Sequence, residues 1–301
     1  MELNGAAWAA GLREHDGRVS RAAFDVTVPN VARIYDYLLG GKDNYAADRD
    51  AAEELQKVLP DIVVACRQNR EFLRRAVQYL TGRGIGQFVD VGSGLPTASN
   101  THQIAQAMRP DARVVYVDND PVVVGHGRAL LERSPNVAVI DADLRRPDAI
   151  IGDSLLAKLV DFSQPVALLL VAVLHFIKDD EDPYRIVNEL RSVLAPGSFL
   201  VISHATQDDV SGEEYAAGVS VYEKASAPVV PRRYDEVLKF FGGMDPVEPG
   251  LVNVCHWRTI TRPVRKLIYG GVGCQPLTQP GKARREVARF CPPAATRRDQ
   301  R

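Results

Sequence analysis

Five short apolar runs, spaced by segments of helical periodicity, constrain this chain more than any other feature. The runs are Gln87–Val91, Arg113–Val117, Val137–Ile140, Val166–Val173 and Ser198–Ser203. Between them the spacing predicts helices at about Ser99–Met108, Pro121–Glu132, Pro147–Lys158 and Pro183–Leu194. Strands joined by crossovers of that length form right-handed βαβ units, hence a mostly parallel sheet with helices on both faces. The run Val166–Val173 has no polar residue, as befits a central strand buried on both faces. After Leu194 the spacing changes. Tyr234–Phe241 reads as a helix, and Gly250–Trp257 with Lys266–Gly271 as a closing antiparallel pair. Ahead of the sheet, Asp61–Leu80 places Ile62, Cys66, Leu73, Val77 and Leu80 on one helix face. The chain therefore divides into a flexible N-terminus (1–25), a helical cap (26–85), an α/β domain (86–275) and a tail (276–301).

The first strand ends in Asp90-Val91-Gly92-Ser93-Gly94-Leu95-Pro96-Thr97, a glycine-rich turn leading into a helix. Glycines there let the backbone turn sharply and let a ligand approach without a Cβ in its path. The following helix start offers unpaired N–H groups to a polar ligand. Asp118 ends the second strand, 24 residues after Gly94, where a carboxylate can accept both ribose hydroxyls of a nucleoside, with Asn119 beside it. Asp143, after the third strand, is placed for an adenine amino group, and Leu144 for the base; Asp141 competes with Asp143 for that role. A dinucleotide fingerprint needs a third glycine, but Thr97 stands there, and the acid Asp90 interrupts an otherwise apolar strand. The loop therefore suits a nucleoside ligand without a pyrophosphate.

This D-x-G-x-G, with an acid after strand two and Asp-Leu after strand three, resembles the class I S-adenosyl-L-methionine-dependent methyltransferases. Pro29 to Tyr45, Asp48-Arg49, Asn69-Arg70-x-Phe72, Ala142 to Arg145, Val173 to Phe176, Glu248 to Leu251 and Tyr269 to Gly273 are similar to one group of them. That group is a methyltransferase family whose substrates are largely unassigned. The resemblance spans about residues 26–275 and is most specific from Ala32 to Asn44. It implies a Rossmann-like sheet with an antiparallel closing strand, S-adenosyl-L-methionine as cofactor, and an unidentified methyl acceptor, small or peptidic. The expected cofactor residues are Asp90, Gly92, Ser93, Gly94, Asp118, Asn119, Asp143 and Leu144. A nicotinamide-dependent oxidoreductase and a non-catalytic sensor of the cofactor or its demethylated product are the rival readings.

Around Gly40-Gly41 the aromatic and polar residues suit a lid that excludes water from the cofactor, with Tyr37 and Asn44, rather than Tyr35, expected to face the ligand. His175 follows the central strand, and is either a base near neutral pH or a hydrogen-bonded pocket histidine. Asp179 to Asp182 read as a helix start rather than a metal site, so no metal is expected. The chain carries a formal net charge of −1, which argues against nucleic acid bound through bulk charge. From Lys282 to Arg301 seven basic residues and two acidic ones give +5, with few large apolar residues, so the segment reads as a solvated tail. The longest apolar run, Val166–Leu174, has 9 residues, against the roughly 20 of a membrane span. Four scattered cysteines without a C-x-x-C pair suggest reduced thiols and a cytoplasmic protein.

Overall fold

The computed structural model describes residues 25–97, 99–131, 134–259 and 265–276. The expected flexible start and basic tail, apart from Asp25 and Pro276, lie outside the described residues. Three helices come first: α1 (Val31–Leu39), α2 (Ala46–Val58) and α3 (Ile62–Gly82). Then follow β1 (Gln87–Val91), α4 (Thr101–Met108), β2 (Arg113–Asp118), α5 (Pro121–Leu130) and β3 (Val137–Asp141). The region predicted as one helix over Pro147–Lys158 is two, α6 (Pro147–Ile151) and α7 (Ser154–Leu159). Asp153 makes the break, because its side chain accepts from the Leu155 and Leu156 N–H groups and so starts a new helix. The chain continues through β4 (Ala167–Val171), α8 (Pro183–Ser192), β5 (Phe199–Ala205), α9 (Gly212–Glu223) and α10 (Tyr234–Lys239). It closes with β6 (Asp245–Pro246), β7 (Val252–Asn253) and β8 (Ile268–Cys274).

The strands run in the order β3-β2-β1-β4-β5-β8-β6, with β7 also on β8. The first five are mutually parallel, and β8 lies antiparallel to β5 from Phe199↔Cys274 to Ala205↔Ile268. The closing pair is therefore present, with β8 longer and β7 shorter than the sequence pattern indicated. Alternation along β4 sends Ala167 and Leu169 to one core and Leu168 and Leu170 to the other. The first core lies under α3, α4 and α5, and the second under α6, α7, α8 and α10. Thus α3 covers the sheet, whereas α1, α2 and α9 share a separate cluster around Ile34, Leu55, Cys66 and Val221.

A buried ion pair fastens α1 to α2. Arg33 Nε donates to Asp48 Oδ2 at 2.7 Å with both side chains almost fully buried. Asp48 also accepts from the N–H groups of Asn30 and Tyr45, and Arg33 donates to the Val28 carbonyl. Asp48→Ala should strand the guanidinium and cost about 3–5 kcal/mol. Urea denaturation of the variant would measure this; a loss below about 1 kcal/mol would contradict it. Cys66 and Cys255 are buried thiols outside any disulfide, whereas Cys274 is disulfide-bonded, which corrects the expectation of four thiols.

Candidate active site

The sheet order reverses between β1 and β4, and the carboxyl ends of the strands there open into a cavity of about 590 Å³. Eight residues expected to hold a cofactor, Asp90, Gly92, Ser93, Gly94, Asp118, Asn119, Asp143 and Leu144, all line it, as does His175. The parallel register brings them together: Val91 pairs with Val117 and Asp118 with Asp141, so the acids after successive strands share one rim.

Gly92 and Gly94 have φ of +71° and +66°, which favour glycine. A Cβ on Gly92 would fall 2.2 Å from Val173 Cγ2, while one on Gly94 would meet no protein atom within 4 Å. Open cavity space therefore lies over the loop. Asp118 Oδ2 accepts from the Gly94 N–H at 2.9 Å, and its Oδ1 from the Asp120 N–H at 3.1 Å. The Asn119 N–H also acts on this carboxylate, whose four lone-pair sites leave room for a further donor. Burial pushes the Asp118 carboxyl up to about 6, against the opposing pull of those N–H groups. Asp90 is buried, accepts from Thr101 Oγ at 2.6 Å, and is raised by that burial. Asp143 forms an ion pair with Arg145 at 3.0 Å, and Arg145 also reaches Glu181 at 2.7 Å.

His175 Nδ1 accepts from the Ala205 N–H at 3.2 Å. Burial, assisted by the Arg232 guanidinium, lowers its imidazole to about 3. Arg232 is 1% exposed and ties the segment after β4 in place, donating to the carbonyls of Leu174 and Ile177 and to Asp179.

The cap differs from the sequence expectation. Tyr37 donates to Glu53 at 3.0 Å, and neither Tyr37 nor Asn44 lines the cavity; Tyr35 does. Residues two apart on a helix point roughly 200° apart, so only one of these tyrosines can face inward. Asn44 instead donates to Asp36 Oδ2 and the Gly41 carbonyl, building the turn between α1 and α2. The Gly40-Gly41 pair serves that turn: Gly40 has φ +86°, and a Cβ on Gly41 would collide with Asp36 at 1.9 Å.

Sequence reasoning missed α9, which brings Tyr215, Gly218, Val219 and Tyr222 to the cavity. It shows no apolar stripe, but Ser211-x-x-Glu214 is a capping box and could have marked its start. Arg70 has no role that the sequence pattern alone assigns. Its guanidinium donates to Thr97 Oγ at 2.6 Å and the Ser99 carbonyl at 2.9 Å, holding the far side of the glycine loop. Among the described residues no group of three or more metal-ligating side chains stands together.

A Rossmann-like sheet with an antiparallel closing strand, a glycine loop at its switch point and an acid at the next strand end is the class I architecture, with a site suited to a nucleoside cofactor. Residues 18–276 match the S-adenosyl methyltransferase family, and the chain belongs to it. It is an S-adenosyl-L-methionine-dependent methyltransferase, which decides among the three readings of the sequence. Similar solved structures include two of high coverage. One, from Thermobifida fusca YX and provisionally described as a methyltransferase, is 40% identical, with TM-score 0.78 over 84% of this chain and 97% of that one. The other, a DUF574-family protein of Streptomyces avermitilis MA-4680, is 37% identical, with TM-score 0.80 over 84% of this chain and 99% of that one. No curated protein matches the chain.

Proposed function

We propose that the methyl acceptor is a small molecule bound beneath α1, α3 and α9, and that transfer rests on in-line positioning without a dedicated protein base. The observation that carries this reading is the single cavity shared by the strand ends and the cap helices. Asp118 would take the ribose hydroxyls, Asp143 the adenine amino group, and Leu144 the base. The backbone of Gly92, Ser93 and Gly94 would take the amino-acid end, with Asp90 and Asn119 completing the rim. Their fit is supported by the open space above Gly94 and by the room Asp118 keeps for a further donor. When bound, the cofactor supplies a methyl group already activated by its sulfonium. The chain's own residues then exclude water and align the acceptor.

His175 acts in this scheme as a neutral donor rather than a base. Its Nδ1 is occupied as an acceptor, so the ring proton sits on Nε2. Nuclear magnetic resonance of the imidazole should show no titration between pH 5 and 8. A midpoint near the ordinary 6.5 would restore it as a candidate base. A cytoplasmic site of action belongs to the same proposal; the buried thiols of Cys66 and Cys255 support it, and the disulfide of Cys274 weighs against it. Among the described residues no helix is long and apolar enough to cross a membrane.

The test is release of S-adenosylhomocysteine across a panel of small phenols, amines and heterocycles and of folded and short peptides. Sustained turnover is expected with a small acceptor. Turnover confined to peptides or folded proteins would remove the cap as the acceptor site.

A further inference from the structure

One buried polar atom in the cap half of the cavity stands without a partner. Asn69, on α3, is 1% exposed and lines the cavity. Its Nδ2 donates to Tyr35 Oη at 2.9 Å, and Tyr35 Oη donates to the Cys66 carbonyl at 3.1 Å. Asn69 Oδ1 has no hydrogen-bond partner among the described residues. A buried amide oxygen bears its desolvation penalty until something in the cavity donates to it.

The surroundings restrict what that donor can be. Tyr35 and Tyr222 lie close to Cys66, and Phe176 packs on Tyr222 with ring centroids 5.7 Å apart. Burial holds both phenols far above their usual range, so they stay uncharged. The charged residues that α1, α3 and α9 bring to the cavity are all engaged. Arg33 pairs with Asp48, Arg70 holds Thr97 and Ser99, and Glu214 accepts a bidentate pair from Arg265 at 2.7 and 2.5 Å. An anionic acceptor would meet the unpartnered Asn69 Oδ1 with like polarity, and a cationic one would meet the Arg70 guanidinium, which is held at the glycine loop by neutral partners.

We propose that the cap half recognises a neutral aromatic acceptor, a phenol or a ring N–H heterocycle, by a hydrogen bond to Asn69 Oδ1 and ring contacts with Tyr35, Tyr222 and Phe176. This rests on the reading of the cap as the acceptor pocket. The test loads the protein with S-adenosylhomocysteine and titrates phenol, indole, toluene and benzoate, followed by ligand-observed nuclear magnetic resonance. Phenol and indole should bind about tenfold more tightly than toluene, with benzoate weakest. In Asn69→Leu the affinity for phenol should drop to that for toluene.

If phenol and toluene bind alike to the native protein, or Asn69→Leu weakens both equally, the proposal is overturned and Oδ1 merely holds water. The comparison in the native protein needs no variant, so it decides even where Asn69→Leu does not fold. Failure of the underlying reading looks different: none of the four probes would bind, or all would displace S-adenosylhomocysteine.

Discussion

Gly92→Val will leave a protein that neither retains S-adenosylmethionine nor keeps its native stability. Two costs add at this position. The φ of +71° is unfavourable for a β-branched residue by about 1–2 kcal/mol. The new side chain must also enter space held by Val173, whose Cγ2 is 2.2 Å from the position of a Cβ. Overpacking of that kind costs about 1–3 kcal/mol. A combined loss of about 2–5 kcal/mol is a large part of an ordinary domain's stability. The same movement would displace Val173 and the loop backbone that line the cavity, so binding fails before the fold does. Thermal denaturation with and without S-adenosylmethionine checks both parts. A variant with native stability that still gains stability from the ligand would mean that the loop is not the cofactor cradle.

Asp118→Ala should weaken S-adenosylhomocysteine binding by about 1.5–3 kcal/mol, because it removes charge-assisted hydrogen bonds from buried hydroxyls. The native protein should show a matching pH dependence. The Asp118 carboxyl titrates at about 6 in the free protein, raised by burial. Above that pH it is charged and accepts strongly; below it, protonation must be reversed before the ribose can bind as proposed. Affinity should therefore be nearly flat above pH 7 and fall about tenfold from pH 7 to 5, about fivefold of it between pH 6 and 5. Asp118→Asn should bind weakly at every pH and lose this step. Calorimetric titrations from pH 5 to 7.5 would measure it. An Asp118→Asn variant that keeps both native affinity and the native pH profile would remove Asp118 from the site.

The strands and the glycine loop were legible because each is written in local pattern. The polar-free run around Leu168–Leu170 marks a strand buried on both faces, and Gly92 and Gly94 mark a turn that few other residues can make. The spacing from Gly94 to Asp118 carried further, because one helix and one strand of ordinary length bring that carboxylate back beside the loop. The cap was less legible. Ile34 and Leu38 show which face of α1 is buried, but not which flank of that face meets the cavity, so the sequence alone does not separate Tyr35 from Tyr37. That choice depends on α9, which lies more than 170 residues further along the chain and packs on α2. Asn69 sits in a recognisable motif, yet only the folded structure shows its Nδ2 committed to Tyr35 and its Oδ1 uncommitted.

The most direct measurement is a crystal structure of the protein with S-adenosylhomocysteine. The ribose hydroxyls should lie on Asp118, the adenine beside Leu144 and Asp143, and the thioether sulfur should face the space beneath Tyr35 and Tyr222. A ligand whose ribose lies away from Asp118, or whose sulfur points out of the cavity and away from the cap, would contradict the account of one cavity serving both cofactor and acceptor.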